Sequence, residues 1–474
     1  MRKTKIVATL GPAPDAPGRI GALIAAGMDV ARVNMSHGFQ AENAARIAAV
    51  RAEAARQGRA VAVLLDLQGP KIRTGPLLDD QAVELVPGQT FRITTRSVPG
   101  GAEQVGTSHA RLPQEVWPGD RILISDGLIE LRVEGTTEEE VIAQVVAGGW
   151  LRPRQGINLP GVAVNAPSLT DKDVDDLRFG MAQDADYIAL SFVRRAEDVA
   201  RAKELIAQAG GDAPVIAKLE KPEALDALDA ILQVADGVMV ARGDLGVELA
   251  LEKVPVAQKA IIRAARRAAL PVITATQMLE SMIHHAQPTR AEVSDVANAI
   301  LDGSDAIMLS GETAIGAYPV QAVEMMARIA ETVEAAPALD WPSPLSGWDV
   351  AADGIPEAVG AAVDAMVRAL PVRAVCVLTK TGSSARLVAR YRPAVPILAM
   401  TPAERTYRRL SLLRGVTPLM MRYAPEEAEY YRQVQRLVLE YGYAAPGERV
   451  VVTGGHPIAQ GGPTNFIKVL VLEG

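Results

Sequence analysis

Short runs of apolar residues recur through the first two-thirds of the chain, and each run ends in polar residues or glycine. Most runs are separated by alanine-rich segments with helical spacing, such as "GRIGALIAAG" and "PVAQKAIIRAARRAAL". Continuous apolar strands that alternate with helices are typical of a parallel sheet buried on both faces. Eight of them predict an α/β fold built on a closed (β/α)8 barrel. The eight runs are "KIVATLGP", "DVARVNMSHG", "AVLLDLQGP", "YIALSF", "VIAKLE", "GVMVARGDLG", "PVITATQM" and "AIMLSGE".

Polar side chains stand where these predicted strands end. Active sites of such barrels lie at the carboxyl ends of the strands, so we expect these side chains to meet. They are Arg32, Asn34, Asp66, Lys218, Glu220, Asp244, Thr276 and Glu312.

The alternation of strands and helices is interrupted once, between the third and fourth runs, where about 100 residues intervene instead of roughly 30. Within this insertion "RILISDGLIELRVEG" alternates around an Asp-Gly turn, which predicts β structure. The insertion leaves from the catalytic end of the third strand and returns before the fourth. It is therefore placed to act as a lid.

A second boundary is predicted at "AAPALDWPSPLSGWDVAADGIPE", which contains Pro, Gly and Asp and has no sustained period. Strands and helices alternate again after it, which is typical of a small α/β domain with a parallel sheet. We expect a barrel domain of residues 1–69 and 167–338, an inserted β-barrel lid of residues 70–166 and a C-terminal domain of residues 350–474.

Composition and charge narrow the function classes. The net charge of -7 gives no electrostatic reason to expect nucleic acid as a partner. No apolar stretch approaches the roughly 20 residues that span a bilayer, and the N-terminus lacks a secretory cleavage pattern. The single cysteine, Cys376, excludes disulfides within the chain and is expected to be a buried thiol. We expect a cytoplasmic protein without membrane contact.

A metal site is the first candidate chemistry. In "AKLEKPEAL", Lys218 and Glu220 are two residues apart on a strand, so their side chains share one face. Together with Asp244 from the next strand, Glu220 could hold Mg²⁺ with positions open for substrate oxygens. A structural salt bridge between Lys218 and Glu220 is the alternative. Thr276 could relay a proton at the seventh strand end, or cap a helix.

Anion-binding groups form further clusters. "ARVNMSHG" brings Arg32, Asn34, Ser36 and His37 together, although an ordinary loop has the same composition. "TKTGSSAR", residues 379–386, precedes a predicted helix and could bind phosphate or merely cap that helix. In "SLTDKDVDDL" a capping box is predicted, and Lys172 could be either functional or an exposed helix-start lysine. No His or Cys spacing suits zinc.

These motifs, in their order along the chain, resemble the pyruvate kinase family. The resemblance covers essentially the whole chain and is less specific in the last domain. The segments that carry it are "ATLGP", "ARVNMSHG", "LDLQGPKIRTG", "NLPG", "SLTDKD", "ALSFVR", "AKLE", "VMVARGDLGVE", "TATQMLESM" and "MLSGETAIGAYPVQAV".

The resemblance implies transfer of the phosphoryl group of phosphoenolpyruvate to ADP, with pyruvate and ATP as products. It assigns a divalent ion, Mg²⁺ or Mn²⁺, to Glu220 and Asp244, and transition-state stabilisation to Lys218. Thr276 would take part in protonation of the enolate, and the amides of Gly243 and Asp244 would hold the substrate carboxylate. Arg32 counts among both the catalytic and the nucleotide-binding residues. The positions facing phosphates or nucleotide are Thr9, Pro12, Arg32, Asn34, His37, Arg73 and Lys172.

Most members of this family also bind K⁺, and the resemblance places that site at Asn34, Ser36, Asp66 and the carbonyl of Leu67. Here Lys71 stands where the familiar motif "LDTKGPEIRTG" has an acid. The Lys71 ammonium can occupy the K⁺ position and direct the same unit charge toward Asp66 and the phosphates. This substitution resembles the K⁺-independent branch of the family, so K⁺ is not expected to be required.

The C-terminal domain resembles the regulatory domain of the family, in which a loop takes the phosphate of an effector, a sugar phosphate or AMP. The corresponding residues are Thr379, Lys380, Thr381, Gly382, Ser383 and Ser384. A homotetramer is usual in this family. Two other readings of the barrel are open: a metal-dependent aldolase or lyase that stabilises a pyruvate enolate, and a non-catalytic sensor. The lyase does not explain Lys218, Lys71 and the lid together, and a sensor is expected to have lost some of the catalytic residues.

Overall fold

The computed structural model describes residues 2–162, 167–336, 354–422, 424, 426–458 and 462–474. Eight parallel strands close into a barrel in which neighbours along the sequence are neighbours in space, apart from the last, which pairs with the first. Each predicted run supplies one of these strands. They are Lys5–Leu10 (β1), Val30–Asn34 (β2), Ala62–Asp66 (β3), Tyr187–Leu190 (β4), Val215–Leu219 (β5), Gly237–Ala241 (β6), Val272–Ala275 (β7) and Ala306–Leu309 (β8).

Amphipathic helices surround the barrel and bury their apolar faces against its strands. Capping boxes begin two of them, at Thr170 with Asp173, as the sequence predicts, and at Thr289 with Glu292. The helices are Arg19–Ala26, Gln40–Arg56, Asp171–Ala182, Ala196–Gln208, Pro222–Asp226, Leu228–Val234, Arg242–Glu248, Val254–Arg267, Arg290–Asp302, Gly311–Ala314 and Pro319–Ala335.

The insertion after β3 is β-rich and has its own core around the fully buried Phe91. Its six-stranded sheet is largely antiparallel, and a two-stranded sheet lies beside it. The turn at Asp126 and Gly127 has positive φ angles, as the Asp-Gly signal predicts. The strands are Val83–Leu85, Thr90–Thr94, Gln104–Gly106, Arg121–Ile124, Ile129–Thr136, Glu140–Ala147, Gly149–Leu151 and Ile157–Asn158, with one short helix at Leu112–Glu115.

The C-terminal part of the chain forms a five-stranded sheet flanked by helices. Four strands are parallel, but the edge strand Thr464–Val471 pairs antiparallel with Arg449–Gly455. The four parallel strands confirm the predicted parallel sheet. The edge strand runs antiparallel because the connection after Gly455 is too short for a parallel crossover, which takes a dozen residues or more. The other strands are Val372–Leu378, Ile397–Thr401 and Val416–Met420, and the helices are Ile355–Ala369, Ser383–Arg390, Glu404–Arg409 and Glu427–Glu440.

The boundary segment "AAPALDWPSPLSGWDVAADGIPE" lies mostly outside the described residues, so the limits of the domains stay predictions. Cys376 is fully buried inside a strand, where burial raises the pKa of its thiol. None of the helices in the described ranges combines the length and the apolar character that a membrane-crossing helix requires.

The C-terminal domain packs against the amino ends of the barrel strands. Leu412 is fully buried among the side chains that fill the barrel interior. Beside it, the Ser411 hydroxyl donates to the carbonyl of Asp29 over 2.9 Å. The face opposite the candidate site is therefore covered by this domain, which leaves the carboxyl ends of the strands open to ligands and to the inserted lid.

Candidate active site

Lys218, at the carboxyl end of β5, lies at the centre of the candidate site. Its ammonium is 2.9 Å from Glu220 Oε1 and 3.2 Å from Asp66 Oδ1, and it donates to Ser191 Oγ over 2.7 Å. Burial alone would lower the pKa of Lys218, but the two carboxylates outweigh this effect and raise it. The structure therefore contains both the expected cluster and the salt bridge that was its alternative, and holds Lys218 as a fixed cation.

Ser191 connects this lysine to the backbone of β3. Its hydroxyl donates to the carbonyl oxygen of Leu67 over 2.7 Å, and its side chain is buried. Ser191 was not selected from the sequence, although its position at the polar end of the predicted run "YIALSF" was the available signal. Ser191 therefore connects Lys218 to the Leu67 carbonyl, which the family resemblance assigns to a K⁺ site.

A second buried ion pair supports the site from β2. Arg32 Nε lies 2.7 Å from Asp66 Oδ2, and its Nη1 donates to Thr9 Oγ1 over 3.0 Å. Burial would raise the pKa of Asp66, but Lys218 and Arg32 lower it overall. Asp66 therefore stays ionised and positions two cations, Arg32 from the neighbouring strand β2 and Lys218 from β5, which lies two strands away.

Glu220 and Asp244 form the pair of carboxylates expected to hold a metal. Glu220 is buried and accepts a hydrogen bond from the amide of Phe192 over 2.7 Å, whereas Asp244 is partly exposed. Burial raises the pKa of Glu220, Lys218 opposes this, and repulsion from Asp244 adds to the rise. A divalent cation between the two would relieve that repulsion, and oxygen donors suit Mg²⁺. In the described ranges no three His, Cys, Asp or Glu side chains form a group that could hold a metal ion.

Thr276 follows β7 and faces the amide of Gly243. Its hydroxyl accepts from Gly243 N over 2.7 Å and donates to the Ala275 carbonyl over 2.6 Å. Its φ angle is 70°, a left-handed conformation that is uncommon for a β-branched residue. Thr276 does not cap either of the next two helices, which begin after Leu279 and Thr289. The hydroxyl therefore lies at the amide of Gly243, next in sequence to the candidate metal ligand Asp244.

Arg242 supports this left-handed turn. Its Nη2 donates to the carbonyl of Thr276 over 2.7 Å, and its Nη1 lies 2.7 Å from Asp295. The sequence interpretation missed Arg242, since the long-range partner Asp295 leaves no local signal. Glu312 has a comparable structural role, because its carboxylate accepts from the amides of Leu279 and Ser310.

A basic rim borders the site where β2 and the lid meet. Arg32, Lys71 and Arg73 lie close enough to His37 that their charges, added to burial, lower the pKa of its imidazole. Asn34 Oδ1 accepts from the amide of Ser36 over 3.1 Å. The rim gives the site positive charge opposite the carboxylates, which suits a substrate with several phosphates.

Lys71 forms an ion pair with one of the candidate metal ligands. Its ammonium lies 3.8 Å from Asp244 Oδ1, whereas the ion pairs of Asp66 in the described ranges are with Arg32 and Lys218. The expected direction of the Lys71 charge, toward Asp66 and the phosphates, stays a prediction.

Lys172 is tied to the loop after β2. Its ammonium donates to the Met35 carbonyl over 2.7 Å and to Asp176 over 2.5 Å, although half of the side chain is exposed. On the other side of the loop, Thr9 accepts at its carbonyl oxygen from Thr313 Oγ1 over 2.9 Å. Pro12 follows at the open end of β1. The residues expected at the nucleotide thus lie on one side of the barrel mouth.

The loop of residues 379–384 lines a cavity of about 390 Å³ in the C-terminal domain. Gly382 has a positive φ angle and precedes helix Ser383–Arg390. Its amide donates to Thr379 Oγ1 over 2.9 Å, and Ser384 Oγ accepts from Thr464 Oγ1 over 2.8 Å. Lys380, Thr381 and Ser383 also line the cavity. Gly455, Ile458, Gly462 and Pro463 line the other side of the cavity.

Comparisons with known proteins agree with this architecture. Residues 1–323 match the family model "Pyruvate kinase, barrel domain" and residues 357–470 match "Pyruvate kinase, alpha/beta domain". "Pyruvate kinase" of Sporosarcina psychrophila is 44% identical over 476 residues, which cover 100% of this chain and 81% of that protein. "Pyruvate kinase" of Methylorubrum extorquens is 43% identical, with 99% and 97% covered. A crystal structure of a pyruvate kinase from Cryptosporidium parvum has a TM-score of 0.90 at 35% identity, covering 99% of this chain and 96% of that one.

Proposed function

The chain belongs to the pyruvate kinase family of phosphotransferases, and on that premise we propose that its phosphoryl transfer depends on a divalent cation held by Glu220 and Asp244. The proposal rests on one observation, the buried Glu220 carboxylate facing both Asp244 and Lys218. The bound cation would supply charge neutralisation for the substrate oxygens. Lys218 would bind the oxygens of the phosphoryl group in transfer.

The reaction can be assigned to this chain's own groups. The bond between phosphorus and the enol oxygen breaks, and a new bond forms from phosphorus to a terminal oxygen of ADP. Lys218 stabilises the enolate oxygen that is left. The amides of Gly243 and Asp244 hold the carboxylate, and Thr276, through its hydroxyl or a neighbouring water, passes a proton to the methylene carbon to give pyruvate. Arg32, with Arg73 and His37, faces the phosphates.

Activity in defined salts tests the metal. We expect pyruvate release from phosphoenolpyruvate and ADP with Mg²⁺ or Mn²⁺, and none after chelation. Glu220→Gln and Asp244→Asn should each raise the metal concentration needed for half-maximal activity. Glu223→Gln is a matched control, because Glu223 lies one turn away on the next helix and outside the carboxylate pair. An unchanged metal requirement in both acid variants would contradict the assignment.

We further propose that Lys71 makes K⁺ unnecessary, because its ammonium places a positive charge near Asp244 and the substrate phosphates. Turnover in Na⁺-free and K⁺-free buffer should then equal turnover with KCl. Lys71→Glu should lose activity without K⁺ and regain it with KCl. Lys253→Glu, the same charge change at an exposed position, serves as the control. A Lys71→Glu variant that ignores KCl would contradict the proposal.

The cavity of about 390 Å³ in the C-terminal domain is proposed as the effector site. Hydroxyls of the 379–384 loop and the start of helix Ser383–Arg390 would bind the phosphate of a sugar phosphate or AMP. Ser384→Glu should abolish activation by repulsion, and Ser384→Ala should keep most of it. Unaltered activation of Ser384→Glu by every phosphate ligand would place the site elsewhere. A homotetramer, expected from the family, is tested by light scattering of the purified protein.

A further inference from the structure

Two sets of arginines lie between the C-terminal domain and the amino end of the barrel, and they differ in charge balance. The first set lies on helix Glu404–Arg409 and is matched by aspartates of the barrel. The ion pairs are Arg405 with Asp184 and Asp212, Arg408 with Asp184 and Asp186, and Arg409 with Asp212. Each arginine of this first set has at least one carboxylate within 3 Å. Paired charges of this kind are ordinary at an interface between two domains.

The second set, which we term the arginine cluster, surrounds a pocket of about 20 Å³ in the same interface. Its members come from the helix before β7, from helix Ser383–Arg390 and from the loops that follow. They are Arg266, Arg386, Arg390, Arg392 and Arg414. In the described ranges, Asp305 lies in the same pocket and Glu334 lies beside Arg414. Arg266, Arg386 and Arg392 share the pocket with this one described carboxylate, Asp305, so positive charge is in excess there.

The two acids are also partly occupied by other donors. Asp305 Oδ2 accepts from the amide of Val272 over 2.9 Å, and its Oδ1 is 3.5 Å from Arg392 Nη2. Glu334 accepts from the amides of Lys3 and Thr4 at 2.6 and 2.7 Å. Asp305 alone therefore cannot satisfy Arg266, Arg386 and Arg392, since one of its oxygens already accepts from the backbone.

Two donors in the cluster lack an acceptor within the described part of the chain, namely Arg392 Nη1 and Arg266 Nε. The Arg392 side chain is only 8% exposed. A Cβ placed on Gly303 would lie 3.2 Å from both Arg392 Nη1 and Arg266 Nη1, so the two guanidinium groups adjoin. Burial and the charge of neighbouring arginines lower the pKa of Arg392, with Asp305 opposing them. Since guanidinium does not deprotonate in proteins, an anion is the remaining way to offset this charge.

Beside the cluster lies a larger cavity of about 240 Å³, and Pro271, Arg386 and Leu413 line both spaces. Arg386 is partly exposed and makes no side-chain hydrogen bond or ion pair with any residue that the structure describes. Tyr187 and Asp236 contribute polar groups on the barrel side of the cavity. The two spaces together offer a cationic end for an oxyanion and room for the rest of a small molecule.

We propose that the arginine cluster and the adjoining cavity bind a small phosphate monoester, with the phosphate at Arg266, Arg386 and Arg392. Guanidinium forks bind phosphate oxygens in pairs, and a dianion offsets most of the excess charge. This site is separate from the effector cavity proposed above. The two are connected, because Thr381 and Ser383 line both larger cavities and Arg386 lies on the helix that begins at Ser383. A ligand at either site thus fixes the same eight-residue helix.

Titration calorimetry of the full-length protein with inorganic phosphate, at constant ionic strength set with KCl, tests the site. We expect saturable binding that Arg386→Gln and Arg392→Gln each weaken at least tenfold. Arg263→Gln is the matched control, because Arg263 lies on the same helix as Arg266 but is exposed. It should bind phosphate as the unmodified protein does. If Arg392→Gln does not fold, the partly exposed Arg386 still provides the test.

A second variant separates this site from the effector cavity. Lys380→Glu reverses a charge that lines only the cavity of about 390 Å³. The proposal predicts that phosphate binding to the arginine cluster survives Lys380→Glu and is lost in Arg386→Gln. It is overturned if phosphate binds no better than chloride, if both arginine variants bind phosphate normally, or if Lys380→Glu alone removes all phosphate binding.

Discussion

Replacing Lys218 by methionine should affect stability and catalysis by separable amounts. The change leaves Asp66 and Glu220 side by side without the cation at 3.2 and 2.9 Å, and both side chains are only 1% exposed. Removing one partner of a buried pair costs roughly 3–5 kcal/mol. Glu220 can limit the loss of stability by taking up a proton. Protonation at pH 7 costs about 1.36 kcal/mol for each pH unit above the pKa of the unfolded chain, which is ~4.3. The difference of ~2.7 units corresponds to ~3.7 kcal/mol.

The sign of the pH effect follows from that proton. In Lys218→Met the folded protein holds Glu220 protonated while the unfolded chain does not, so the variant gains stability as the pH falls, by about 1.36 kcal/mol per unit. The difference in the free energy of unfolding between the variant and the unmodified protein should therefore become smaller from pH 7 to pH 5. Guanidinium unfolding followed by circular dichroism measures this difference. A gap that stays constant with pH would refute the idea that Lys218 keeps Glu220 ionised.

Catalysis supplies the second readout. Lys218→Met should lower kcat by roughly 10²–10³, the usual effect of losing one preorganised donor to developing charge. Lys221→Met is the matched control, because Lys221 also pairs with a buried acid, Glu248 at 2.6 Å, and lies outside the proposed phosphoryl site. Comparable loss of kcat in both variants would show that lost stability, not lost charge in the transition state, accounts for the effect.

Three further substitutions test the contact between lid and barrel, the hydroxyl of Thr276 and the ion pairs of Asp29. Asn158→Ala removes the 3.1 Å hydrogen bond from the lid to Glu248. A bond worth ~1.5 kcal/mol should, when lost, speed hydrogen exchange of the adjacent lid amides about tenfold. Unchanged exchange would contradict the idea that this bond holds the lid to the barrel. Thr276→Val removes the acceptor for Gly243 N and should lower kcat at least about tenfold in a steady-state assay, whereas Thr276→Ser should retain it. Burial would raise the pKa of Asp29, but neighbouring cations lower it overall. The ionised Asp29 carboxylate therefore stabilises the fold above pH ~4, and this contribution is lost in more acidic solution. Melting temperatures between pH 3 and pH 7 should thus depend less on pH in Asp29→Asn, and parallel curves would contradict this.

The barrel was predictable because its strands are buried on both faces and therefore appear in the sequence as uninterrupted apolar runs. Each quoted run supplies one strand of the closed barrel. The edge strand Thr464–Val471 was not predicted, since it is only half buried and its sequence alternates weakly. Pairing direction there depends on the length of the connection, which an apolar pattern does not convey.

For the candidate site, residue types at strand ends indicated which side chains would meet, and the structure brings Lys218, Glu220 and Asp66 within hydrogen-bonding distance. Ser191 and Arg242 were missed, because a serine and an arginine at loop positions have many ordinary roles. The ion pair of Lys71 with Asp244 was not predicted, because the family resemblance pointed to Asp66 and the phosphates. Side-chain direction after a glycine and a proline is decided by backbone angles that sequence spacing does not fix.

The burial of Leu412 inside the barrel has a consequence for synthesis on the ribosome. The barrel strands are complete once residue 309 has been made, yet the interior residues at their amino ends are covered only when Leu412 and Ser411 arrive about 100 residues later. At the ~5–20 residues per second of translation, this apolar surface stays open for roughly 5–20 s. A nascent chain halted in this interval presents a surface that chaperones bind, and a barrel cut from its C-terminal domain keeps that surface permanently.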